Sequence, residues 1–101
     1  MIALTKDERK TLADIMKRHA TDQQYQVVVF GSRVNGKARR YSDVDVALIG
    51  ERPVPLQTVA LLAEALDDSS LPYTVDVVDF SQAGDAMQSE IKKNGEELLQ
   101  T

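Results

Sequence analysis

The sequence predicts a small α/β protein, one sheet covered by helices. Three observations predict it. A β-branched and aromatic run, Tyr-Gln-Val-Val-Val-Phe at residues 25–30, reads as a strand buried on both faces. Two further apolar runs, at residues 44–49 and 73–80, read as strands that alternate with segments of helical spacing. The chain has 101 residues, the length of a single domain.

Each element has a local reason. Thr5-x-x-Glu8 is a capping box, because the Thr hydroxyl accepts from a free helix-start N–H while the Glu side chain reaches back. Leu12, Ile15, Met16 and His19 then recur at helical spacing, so the first helix spans residues 6–20. Gly31-Ser32 stops the first strand, and the polar, basic stretch 33–42 that follows opens on a possible short helix. Residues 50–55 contain a Gly and two prolines and form a loop. Pro55 suits the first position of a second helix, with Leu56, Val59, Ala60, Ala63 and Leu66 lining one face. Ser81 is a candidate N-cap for a last helix carrying Ala83, Met87, Ile91 and Leu98, with Asn94-Gly95 as a candidate break. No repeat or internal boundary is visible, so residues 1–101 read as one domain.

Composition excludes several classes. There is no cysteine, hence no disulfide scaffold, thiolate nucleophile or thiolate metal site. A single His removes His-rich metal sites and leaves oxygen ligands, which select hard cations such as Mg²⁺. The net charge is -4, which argues against gripping long nucleic acid through a basic face. No stretch is long and apolar enough to span a membrane, and acidic residues interrupt the N-terminus before a signal-peptide core forms. The expectation is a soluble cytoplasmic protein.

The chemistry concentrates on carboxylates in strands, where Asp is uncommon. Asp43 and Asp45 are two residues apart and project from one face of the second strand. At that spacing they repel one another, and a cation bound by both removes the conflict. Asp76, in the middle of the third strand, is the candidate third carboxylate, and Asp79 is its competitor. Taken alone, Asp43 reads as an ordinary strand-start residue, and a short acidic spacing carries little information. Gly31-Ser32 directly after a strand lets backbone approach a ligand, and free N–H groups there attract phosphate, with Arg33 beside them. It is not a Walker A loop. The ordered set is more specific than its parts: Gly-Ser, ten residues, then Asp-x-Asp arises by chance in about one in a thousand sequences of this length.

Gly31-Ser32-Arg33-Val34-Asn35-Gly36, then Ser42-Asp43-Val44-Asp45, then Val75-Asp76-Val77-Val78-Asp79 resemble in order the signature of the DNA-polymerase-β-like nucleotidyltransferases. The resemblance is closest to the minimal nucleotidyltransferases (MNT), antitoxins of HEPN/MNT toxin–antitoxin pairs. It implies a small mixed β-sheet flanked by helices, and transfer of a nucleoside monophosphate from a triphosphate, such as ATP, to an acceptor hydroxyl. It also implies two Mg²⁺ ions held by Asp43, Asp45 and Asp76, with Gly31, Ser32 and Arg33 at the phosphates. The chain has no length for an acceptor-binding domain, so a partner chain, a homodimer surface or the acceptor itself is expected to form the second wall of the site. The resemblance implies a HEPN ribonuclease toxin, modified with AMP on a tyrosine. Neutralisation of a partner by contact alone and transfer to a small molecule are the competing readings. Lys37, Arg39 and Arg40 read as a solvated basic loop, His19 as a helix-face residue, and Leu98 and Leu99 as exposed apolar positions for a partner.

Overall fold

The computed structural model describes residues 2–34, 36 and 43–101. Lys37, Arg39, Arg40, Tyr41 and Ser42 lie outside the described residues, as does Asn35.

Helix α1 spans Lys6–His19 and opens on the expected capping box. The Glu8 N–H donates to Thr5 Oγ1 at 3.1 Å, and the Thr5 N–H donates to Glu8 Oε1 at 2.9 Å. Acidic residues in its first turn and basic ones in its last complement the helix dipole. Strand β1 spans Gln26–Phe30, and its last four residues are buried. A 3₁₀ turn at Gly31–Arg33 follows at once. Strand β2 spans Val44–Ile49, α2 Leu56–Asp67, β3 Val75–Asp79, α3 Asp85–Asn94 and β4 Glu96–Gln100. The four strands form one sheet in the order β3-β2-β1-β4. β1 pairs antiparallel with both β2 and β4, while β2 and β3 are parallel. The sheet is therefore mixed.

Strand alternation divides the core between the two faces. On one face Val27, Val29, Val44, Val46 and Leu48 pack with Leu12 and Met16 of α1 and Leu62 and Leu66 of α2. On the other, Val28, Phe30 and Ala47 pack with Ile91 of α3. The second cluster is smaller, so α3 leaves part of its sheet face uncovered.

Two expectations are corrected. Helix α2 buries Thr58, Leu62 and Leu66, whereas Leu56 is 86% exposed and Ala60 and Ala63 face solvent. This helix is apolar around much of its circumference, so spacing alone fits more than one face. A polar contact decides the matter. Asp22 accepts from Thr58 Oγ1 at 2.9 Å and from the buried Tyr25 hydroxyl at 2.8 Å, which turns a Thr inward. The second correction is at the C-terminus. The last helix ends at Asn94, and Leu98 and Leu99 belong to β4, half-buried against the core rather than exposed. Pairing with β1 outweighs the helix propensity of Glu-Glu-Leu-Leu-Gln.

Candidate active site

Phe30, the last residue of β1, lies opposite Asp45 on β2, and Asp45 lies opposite Asp76 on β3. The register thus sets the Gly31 turn and two carboxylates side by side across three strands. Asp45 and Asp76 share the sheet face of Ala47, Val78 and Phe80, the face that α3 covers only in part. Asp43 immediately precedes β2, and its charge reaches Asp45. Asp43 and Asp76 are exposed and Asp45 is half-buried, so the trio opens to solvent.

Its electrostatics are those of crowded like charges. Burial pushes the Asp45 carboxyl above the usual carboxylate range, and the charges of Asp76 and then Asp43 push it further. The three are neighbours without being drawn together: among the described residues no group of His, Cys, Asp and Glu is arranged as a ready metal site. The donor chemistry nevertheless fits a hard divalent cation, since open carboxylate oxygens that repel one another are the ligands Mg²⁺ takes.

Gly31 is a residue the site cannot exchange. Its φ is +77°, in the left-handed region, and a Cβ there would lie 2.7 Å from Asp45 Oδ2. The turn is closed by the Val34 N–H donating to the Gly31 carbonyl at 3.1 Å. Ser32 follows, half-buried. Arg33 departs from expectation. Expected as a charge partner for phosphate, it is instead 7% exposed, with Nη1 donating to the Ala3 carbonyl at 3.1 Å and the guanidinium 4.4 Å from the Tyr73 ring centre. Two residues after Gly31 the 3₁₀ turn has swung its side chain towards the α1 side of the sheet, away from the carboxylates.

Asp79 is occupied elsewhere. Its Oδ1 accepts from the Ser81 N–H at 3.0 Å and from Ser81 Oγ at 2.8 Å, while Oδ2 accepts from the Val54 N–H at 2.8 Å. It caps the turn after β3 and anchors the loop before α2, which leaves Asp76 as the carboxylate that faces Asp45. His19 lies half-buried between α1 and α2, beside Asp68 and Ala65, remote from the trio. A concavity of about 580 Å³, lined by Gln23, Gln26, Gly50 and Arg52 among others, sits at the other end of β1 and β2 and includes none of Asp43, Asp45 and Asp76. Sequence reasoning missed the pairing of Arg33 with Tyr73. No spacing signal connects two positions so far apart in the chain.

The family model of polymerase beta nucleotidyltransferases matches residues 10–101, and the chain belongs to that family. Over 69 residues it is 42% identical to a Haemophilus influenzae protein named probable protein adenylyltransferase MntA, a match covering 68% of this chain. The matched region spans 60% of the length of that relative. The fold is also that of a crystal structure of a toxin–antitoxin with AMP-PNP, at a TM-score of 0.76 and 24% identity, covering 92% of this chain and 73% of that one. A second structure, described as a tri-AMPylated Shewanella oneidensis HEPN toxin in complex with MNT antitoxin, matches at a TM-score of 0.65 and 24% identity, over 92% of this chain and 72% of that one.

Proposed function

We propose that this chain is a Mg²⁺-dependent nucleotidyltransferase that moves AMP from ATP to a tyrosine hydroxyl of a HEPN toxin and so acts as its antitoxin. The observation that carries the reading is the register that aligns Phe30, Asp45 and Asp76, setting a left-handed Gly31 turn against two carboxylates. The similarity to a probable protein adenylyltransferase supports the transferred group. The likeness to a chain of an AMPylated HEPN toxin complex supports the partner.

Asp43, Asp45 and Asp76 would hold Mg²⁺. When bound, such ions supply charge neutralisation of the triphosphate and of the displaced oxygens. The chain's own residues account for the rest. The backbone at Gly31 approaches the β- and γ-phosphates because no side chain stands in the way, and the Ser32 hydroxyl donates to them. The acceptor oxygen bonds to the α-phosphorus as the bond from that phosphorus to the bridging oxygen breaks. Pyrophosphate leaves, and the hydroxyl proton passes to the exposed carboxylate of Asp76. The half-buried Asp45 must be ionised for this, which its neighbours oppose and a divalent cation favours.

Intact-mass measurement of this protein incubated with its HEPN partner, ATP and Mg²⁺ tests the reading. One or more AMP units appear on the partner with the native protein and none with Asp43→Asn/Asp45→Asn. A stable complex that gains no mass replaces the reading with neutralisation by contact. AMP found only on small hydroxylated acceptors replaces it with a small-molecule transferase.

A further inference from the structure

Arg33 has the wrong surroundings for a surface cation. Among the described residues it is the only charged side chain that is buried. A charge out of water needs compensation, and among the described residues three parts of the chain contribute to it. The first is the N-terminal segment before α1. There the Ala3 N–H donates to the Arg33 carbonyl at 2.7 Å, and Arg33 Nη1 donates back to the Ala3 carbonyl at 3.1 Å. The second is the Tyr73 ring, two residues before β3 begins, over which the guanidinium sits at 4.4 Å. The third is Glu8 in the capping box of α1, whose carboxyl feels the Arg33 charge and stands beside the Tyr73 hydroxyl.

These partners flank the active-site end of the sheet. The Gly31–Arg33 turn continues β1, Tyr73 leads into β3, and β2 with Asp45 lies between them. Strand pairing fixes Asp45 against Asp76, but among the described residues no strand pairing holds the phosphate turn, which lies past the end of β1. The Arg33 side chain spans that gap on the α1 side.

We propose that Arg33 is a positioning residue: clasped by Ala3 and seated on Tyr73, it sets the Gly31–Ser32 turn at a fixed distance from the Asp45 and Asp76 carboxylates. This rests on the reading that turn and carboxylates form one nucleotide site. It differs from that reading in a specific way. Arg33 acts through the protein and does not itself touch the triphosphate, so Tyr73, which lies on the opposite sheet face from Asp76, belongs to the same unit. Arginine is required because a flat guanidinium stacks on the ring while its edge donates to Ala3, and an ammonium cannot do both.

The test is a double-mutant cycle with two readouts, kcat/KM for ATP in the transfer reaction and amide exchange in the free protein. Arg33→Met and Tyr73→Leu are each expected to lower kcat/KM on the order of 10- to 100-fold, since a misplacement of about 1 Å is that costly. The double variant is expected to be no worse than the poorer single one. Tyr73→Phe, which keeps the ring, restores most of the loss seen with Tyr73→Leu, whereas Arg33→Lys does not rescue. In exchange, both single variants expose the Ala3 and Val34 amides while the amides of β1 stay protected, which also shows that the variants are folded. If Tyr73→Leu transfers like the native protein while Arg33→Met does not, Arg33 is a direct phosphate ligand and the proposal falls. It falls equally if the two losses multiply. Should the native protein transfer no nucleotide at all, the functional reading fails separately. The exchange data then still decide, since unchanged Ala3 and Val34 protection in both variants overturns the clasp.

Discussion

Asp45 is the residue at which fold and chemistry pull in opposite directions. Its carboxyl is half-buried beside the Gly31 turn and faces two other acidic groups, so its pKa stands above the ordinary value. A raised pKa in the folded state means that ionising the group disfavours folding. Stability linked to this proton is fully present below the unfolded-state pKa and is lost as pH rises through the folded one. Asp45→Asn removes the charge and keeps the shape. Without divalent cation, it should therefore be more stable than the native protein to urea at neutral pH. The advantage should shrink as the pH falls through the raised folded-state pKa and be gone below the ordinary carboxylate range. On the proposed function, transfer should in turn rise with pH as Asp45 ionises. A variant that is no more stable at neutral pH, or whose advantage grows in acid, would contradict this account. Asp45 and Asp76 stand out in the sequence because Asp is uncommon within a strand, whereas Ser32 and Asp43 become candidates only through the ordered spacing of Gly31-Ser32 and Asp43-x-Asp45. Arg33 was legible as a charge but not as a position. Its environment is made by Ala3 and Tyr73, and nothing local to residue 33 specifies either.

At the scale of elements, legibility followed the strength of the local signal. The capping box at Thr5 and Glu8 fixes the start of α1, because both partners lie within four residues of each other. The bounds of β2 matched because an apolar run is framed by Asp on one side and Gly on the other. The buried face of α2 did not, because the Thr58–Asp22 hydrogen bond that selects it reaches across 36 positions. The boundary between α3 and β4 was missed for a related reason. Asn94-Gly95 was visible as a break, yet only contact with β1 makes the residues beyond it a strand. Gly95 has an ordinary φ of -67°, so its value lies in closeness rather than in backbone freedom. A Cβ at this position would collide with the Ile91 carbonyl and lie 2.5 Å from Val28 Cγ1, both of which are held by the core. Gly95→Ala should thus cost about 1–3 kcal/mol of stability, the usual range for an overfilled core. It should also loosen β4 from β1. Urea unfolding measures the first effect and amide exchange in β4 the second. An alanine variant as stable as the native protein would mean that α3 can shift freely on the sheet.

The whole molecule is a sheet with a firm centre and lighter edges, and the site straddles the difference. β1 and β2 are central and almost entirely buried, while β3 and β4 are edge strands whose positions are half-buried or exposed. Central strands announce themselves in a sequence because both faces must be apolar. An edge strand such as Glu96–Gln100 carries charge on its open side and reads as a helix or a loop. The same asymmetry has a dynamic consequence. Local opening draws on the elements with fewest buried contacts, so amide protection should be highest in β1 and β2 and lower in β3 and β4. Asp45 then stands on the firm strand and Asp76 on the yielding one. On the proposed function, ATP with Mg²⁺ would tie Asp45 to Asp76 and should raise protection of the β3 amides more than those of β2. Asp76→Asn should abolish that gain and leave the β2 pattern as it was. If β3 exchanges as slowly as β1 before any nucleotide is added, the edge is rigid, and closure of the site cannot be assigned to it.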